Sequence, residues 1–139
     1  MKKFAMLVAA VMTTATLSAQ TSTKKDVLET ARSANNYFMA KYADPTVPTN
    51  VKRIRPSSLW TRAVYYEGLM ALNTIDPQKR YIDYTDRWAS FHKWTPRNGT
   101  KTRDADDQCC SQTYLEGLMT TGDSTKHFPT LANVPGQIE

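Results

Sequence analysis

Apolar residues recur at three- and four-residue intervals along much of this chain, and that spacing predicts helices. Val27, Leu28, Ala31, Ala34 and Phe38 form one stripe. Thr23 and Asp26 precede it and can satisfy the free N–H groups of a helix start. The stripe ends near Lys41, and Asp44-Pro45 and Pro48 turn the chain into a loop that lasts to Pro56. Ser57 and Ser58 are placed to cap a second helix carrying Leu59, Ala63, Val64, Tyr66, Leu69, Met70 and Leu72, a face wide enough to be largely buried. Asp76-Pro77 predicts the start of a third, with Asp accepting at the cap and Pro where no N–H is required. Tyr81, Tyr84, Trp88 and Phe91 then form an aromatic ridge, and the turn Pro96-Arg97-Asn98-Gly99 follows. Asp104, Asp106 and Asp107 complement the dipole of a fourth helix that continues through Cys110, Thr113, Tyr114 and Met119. Beyond Gly122 the periodicity stops, and Pro129, Pro135 and Gly136 punctuate an irregular stretch. No run alternates as a strand does. The expectation is an all-α fold of about four helices packed as antiparallel hairpins.

The first residues read differently. Lys2 and Lys3 are followed by an apolar stretch from Phe4 to Leu17 and by small residues at Ser18-Ala19, the pattern of a secretory leader cut after Ala19. The apolar stretch is shorter than the roughly 20 residues that span a bilayer. The expected organisation is a signal peptide at 1–19, a helical domain at 20–121 and an irregular tail at 122–139, with export to the periplasm or the extracellular space. Loss of Lys2 and Lys3 lowers the formal charge of +5 by two, leaving a mildly basic domain. No block of like charges suggests a nucleic-acid partner, and Lys52, Arg53 and Arg55 read as a solvated loop.

Three clusters could carry chemistry. The first is Trp60-Thr61-Arg62-Ala63-Val64-Tyr65-Tyr66-Glu67-Gly68-Leu69-Met70. The second runs from Tyr81 to Tyr84 and from Trp88 to Trp94 and includes His92; the third runs from Arg103 to Tyr114. Asp106 and Asp107 are the candidate catalytic pair, since two carboxylates in one pocket repel and one is held protonated. Acids in a first helical turn are equally ordinary capping chemistry. Trp60 and Tyr65 offer flat faces to a sugar ring, although aromatics at helical spacing more often fill a core. His92 could act as a base or a donor, or merely lie at a helix end. Cys109 and Cys110 are adjacent, too close for an ordinary disulfide and without ligand-spaced partners, and read as small packed residues. A phosphate-cradling glycine loop, a metal-spaced histidine pair and a strained serine elbow are all missing from the sequence, and no cofactor is expected.

Taken in order, W-T-R-A-x-Y-Y-E-G-L-M, Y-x-D-Y-x-x-x-W-A-x-x-H-x-W and R-x-A-D-D-Q-C-x-x-Q-T-Y resemble glycoside hydrolase family 105. That family comprises unsaturated rhamnogalacturonyl hydrolases and is related to the family 88 unsaturated glucuronyl hydrolases. The resemblance implies an (α/α)6 barrel, of which about four helices are expected here as a partial barrel. It implies hydration of the C4=C5 double bond that a polysaccharide lyase leaves on the terminal uronic acid of pectin-like oligosaccharides. It places one of the family's two site aspartates on Asp107, with Asp106 second, and a substrate-binding role on Trp60, Tyr65 and, more weakly, His92. The segment carrying the family's principal proton donor has no counterpart in this sequence, so the expectation is a truncated chain that folds only marginally, with an active and an inactive form both left open. A carbohydrate-binding remnant and a secreted helical protein of other purpose remain as alternatives.

Overall fold

The structure, a computed structural model, describes residues 22–123 and residue 126. The expected leader and most of the expected tail lie outside these residues. Four helices follow in order: α1 (Lys24–Lys41), α2 (Trp60–Ile75), α3 (Lys79–Phe91) and α4 (Ala105–Thr121). A two-stranded antiparallel hairpin, β1 (Thr49–Val51) and β2 (Arg53–Arg55), interrupts the loop between α1 and α2. This hairpin corrects the expectation of a structureless loop. Its strands are three residues long, too short for alternation to show, and Lys52 makes the reversal at a φ of 59°.

The helix starts follow local chemistry. At α1 Thr23 and Asp26 form the expected capping box, each side chain accepting the other's backbone N–H. At α4 Asp104 accepts from the Asp106 N–H, and Gly122 ends the helix in the left-handed region at a φ of 71°. Two expected caps are not used. Leu59, with no capping side chain, occupies the N-cap of α2, because Ser57 is engaged elsewhere. Asp76 closes α2 rather than opening α3: both of its oxygens accept from Arg32 of α1, and α3 begins later, at Lys79. This fork-to-fork pairing holds the Asp76 carboxyl down at about 2.

Cross-helix contacts fix the relative directions. Arg32 meets Asp76, Asn35 meets Tyr65 and Phe38 stacks on Tyr65, so α1 runs antiparallel to α2. Tyr66 stacks on Trp88 while Asp76 reaches Tyr81, so α3 is antiparallel to α2 as well. Between α2 and α4 the contacts advance together. Glu67 meets Thr113, and further along Met70 and Thr74 share a groove with Glu116 and Thr120. These two helices are therefore parallel, and the N-termini of α2 and α4 share one end with the C-termini of α1 and α3.

The core lies where α2, α3 and α4 meet. Tyr66, Tyr81, Trp88 and Tyr114 are wholly buried, with Ala63, Leu69, Ala89 and Cys110 around them. The stripe that α2 buries includes Arg62 and Asn73 and leaves Val64 exposed, while Phe91 stands outside the aromatic ridge of α3. Among the described residues no helix is long and apolar enough to cross a membrane. Trp88 is the best-placed probe of this core. Trp88→Ala is expected to cost about 3–5 kcal/mol, the range for removing a large buried aromatic, measured as a shift in the urea unfolding midpoint. A loss under ~1 kcal/mol would mean that the ring is not packed as described.

Candidate functional site

The parallel pairing of α2 and α4 gathers most of the chemistry-bearing residues at one end. Trp60 opens α2, Asp106 and Asp107 open α4, and His92 closes α3. The positive ends of two helix dipoles meet there, which favours negative charge. Tyr65 lies further along α2, in the α1–α2 interface, where it stacks on Phe38 and donates to Asn35 Oδ1 at 2.6 Å. Burial raises its phenol well above the ordinary value.

Asp107 is 4 % exposed and its carboxylate is saturated. Asn98 donates to it at 2.8 Å, Arg97 at 2.9 Å and Thr102 at 3.0 Å. The Arg97 backbone N–H bonds the Asp107 carbonyl as well, so the 97–102 turn is clipped to the first turn of α4. These donors, that of Asn98 foremost, hold the Asp107 carboxyl below the usual range. Asp107 is thus ionised near neutrality and can orient water or stabilise a proton on a neighbouring acid, but has no proton of its own to give. Asp106, its neighbour, is exposed. The helix turns the two carboxylates apart, as adjacent positions require.

The remaining candidates are in different states. Trp60 is 42 % exposed, so part of its indole is open to solvent. His92 Nε2 lies 2.8 Å from Ser57 Oγ. Ser57 already donates its single hydroxyl proton to the Thr46 carbonyl at 2.9 Å, so it accepts from His92. The pair therefore does not form a nucleophile and base. Burial lowers the His92 pKa, and the ring is neutral at pH 7 with its proton on Nε2. Both cysteines are free thiols, and burial pushes them up, away from reactivity. Among the described residues no group of three or more His, Cys, Asp or Glu could hold a metal.

Sequence reasoning passed over two charged groups on α2. Arg62 is buried on the face shared with Tyr66, Leu69 and Asn73, a helical spacing that could have flagged it. Glu67 faces α4, accepting from Thr113 and lying against Glu116, and burial pushes its carboxyl up to about 7. That shift sets a pH dependence of folding. An acid raised by folding contributes stability that is complete below its ordinary value of 4.5 and lost as the pH climbs through about 7. Urea midpoints of the unaltered chain should fall across that window, and Glu67→Gln should flatten the fall. Equal slopes in the two proteins would show that Glu67 is not desolvated against α4.

Neither curated proteins nor solved structures give a match. A family description does: residues 30–134 match Glycosyl Hydrolase Family 88. The matched span holds α2, α3, α4, the hairpin and most of α1, and with them every residue discussed at the α2–α4 end. Its helical architecture is that of part of an all-α barrel, and the chain belongs to glycosyl hydrolase family 88.

Proposed function

We propose that this chain serves the removal of unsaturated uronic acids from lyase-generated, pectin-like oligosaccharides, in the manner of the family 105 unsaturated rhamnogalacturonyl hydrolases. The observation that carries the proposal is Asp107, a buried carboxylate kept ionised at the end where two helix N-termini and Trp60 converge. Hydration of a C4=C5 double bond transfers a proton from an acid to C4 and bonds a water oxygen to C5, while one proton of that water passes to a base and the other stays on the new hydroxyl. The resulting hemiketal opens and expels the remaining sugar. An ionised carboxylate suits the water side of this reaction, and its charge raises the pKa of any acid brought beside it. Trp60 supplies an accessible flat face for a sugar ring. Asp106, Tyr65 and His92 are ranked lower. Asp106 points away, and the other two already have partners within the fold.

Export through a leader cut after Ala19 belongs to the same proposal, since oligosaccharides of this kind arise outside the cytoplasm. N-terminal sequencing of the secreted product should begin at Gln20, and a product that retains Met1 would contradict export.

One observation favours a second reading, sugar binding without turnover. All three donors to Asp107 come from its own loop, which makes the residue a clip as much as a reactant. Turnover separates the two. Loss of the double-bond absorbance of unsaturated rhamnogalacturonan oligosaccharides is expected with the unaltered chain. Asp107→Asn should lower that rate about 100-fold or more, at a temperature where circular dichroism shows both proteins folded. A variant that melts earlier yet turns over at the original rate while folded would leave Asp107 as a clip only. Binding of the oligosaccharides with no change in absorbance would establish the second reading.

A further inference from the structure

A pocket of about 270 Å³ lies between the C-terminal part of α1, the hairpin and the first turn of α2. Its walls include Arg55 and Arg62, the rings of Phe38, Tyr42 and Pro56, and the Thr49 hydroxyl. Arg62 is only 5 % exposed, and the groups it bonds to or lies over are neutral. Its guanidinium donates to Thr49 Oγ1 at 2.7 Å and reaches the Pro45 carbonyl at 3.5 Å. It lies 4.1 Å from the centre of the Tyr42 ring and beside the Tyr66 phenol. Asp44, the acid next in sequence to Pro45, is committed to Arg87 and Thr46. Among the described residues neither Arg62 nor Arg55 has a carboxylate within ion-pair distance.

A buried cation without a counter-ion is costly, and proteins ordinarily pair it. The second guanidinium makes the imbalance worse. Arg55 stands opposite Thr49 in the hairpin register, and Thr49 is the residue that accepts from Arg62. The Arg55 Nε is buried and has no hydrogen-bond partner. Two guanidinium groups and the positive end of α2 therefore bear on one cavity whose other walls are the rings of Phe38, Tyr42 and Pro56, the Val51 side chain and the threonines Thr49 and Thr61.

We propose that this pocket binds the carboxylate of a sugar acid, with Arg62 and Arg55 as its ligands and the rings against the C–H face of the pyranose. A small inorganic anion would satisfy the charges but leave the apolar walls unfilled, whereas a monosaccharide acid fills both. The assignment deepens the proposed function by naming how an acidic oligosaccharide is held, and it rests on that reading for the sugar part of the ligand.

The test uses the full chain and sodium glucuronate, which lacks the double bond and so tests binding apart from turnover. Titration followed by tryptophan fluorescence and thermal shift is expected to show glucuronate binding where glucose at equal concentration shows none. Arg55→Gln, at a half-buried position that the core does not need, should weaken binding about tenfold, the loss typical of one charge-assisted contact. Arg62→Lys, which keeps the charge but loses the fork, should weaken it too if that variant folds. Equal binding of glucose, or an unchanged Arg55→Gln affinity, would overturn the proposal. Inorganic phosphate binding as tightly as glucuronate would overturn the sugar part. Turnover of unsaturated oligosaccharides at an unaltered rate by an Arg55→Gln protein that also binds glucuronate normally would sink the pocket and leave the hydrolase. Arginine-dependent glucuronate binding without turnover would sink the hydrolase and leave the pocket.

Discussion

The face-to-face stack of Tyr66 on Trp88 is the contact on which the other elements depend. The two ring centroids lie 3.9 Å apart with planes 15° from parallel, and both side chains are wholly buried. Tyr114 of α4 packs against the same indole, which makes Trp88 common to α2, α3 and α4. Trp94 closes on Tyr114 from the loop that follows α3. The indole N–H donates to the Ser57 carbonyl at 2.9 Å and so fixes the chain just before α2. Through Ser57 the constraint passes to Thr46 and His92. One ring thus sets the seat of the loop that carries the hairpin, the start of α2 and the level of α4 beside it.

That level decides which charges face one another. With α2 and α4 parallel, their N-termini coincide, and the acids and the arginines lie at one end instead of at opposite ones. The fold treats the two signs differently. Asp107 is buried with three donors, one of them the cation Arg97, and its charge is fully compensated. Arg62 is buried to a similar degree with neutral partners only. A compensated buried charge is explained by folding; an uncompensated one asks for something the fold itself does not supply.

The helices were largely legible in the sequence because each carries a stripe at helical spacing and a chemical stop. The Thr23–Asp26 box, the acids that open α4 and the break at Gly122 were visible for that reason. Asp76-Pro77 misled because a capping residue looks the same before its partner is known. Arg32, 44 residues away in sequence, claims both oxygens and makes Asp76 the end of α2. The Ser57-Ser58 pair misled for the same reason, since the indole of Trp88 and the ring of His92 settle what Ser57 does. Of the site, Trp60 and the acids of α4 were visible as motif residues. Arg62 stood in the first motif without being singled out, because an arginine on a helix reads as solvent-facing even where it shares a spacing with Tyr66, Leu69 and Asn73. Arg55 was passed over because a basic run in a turn-rich segment reads as solvated until the hairpin folds one of its members toward a buried guanidinium.

Two of the perturbed carboxylates, Asp107 and Glu67, also constrain any mechanism at this end. Three donors lower the pKa of one, and desolvation raises that of the other to about 7. Glu67 is therefore the better proton carrier, but it sits midway along α2 against Thr113, a full helical turn and more from Trp60. Asp107 has the better position and no proton. Position and protonation are thus divided between residues that do not meet, so a proton for C4 cannot come from the Asp106–Asp107 pair as it is arranged here. On the proposed function the water-side role falls to Asp107, and the proposed carboxylate ligands on α2 and the hairpin belong to the same end of the molecule.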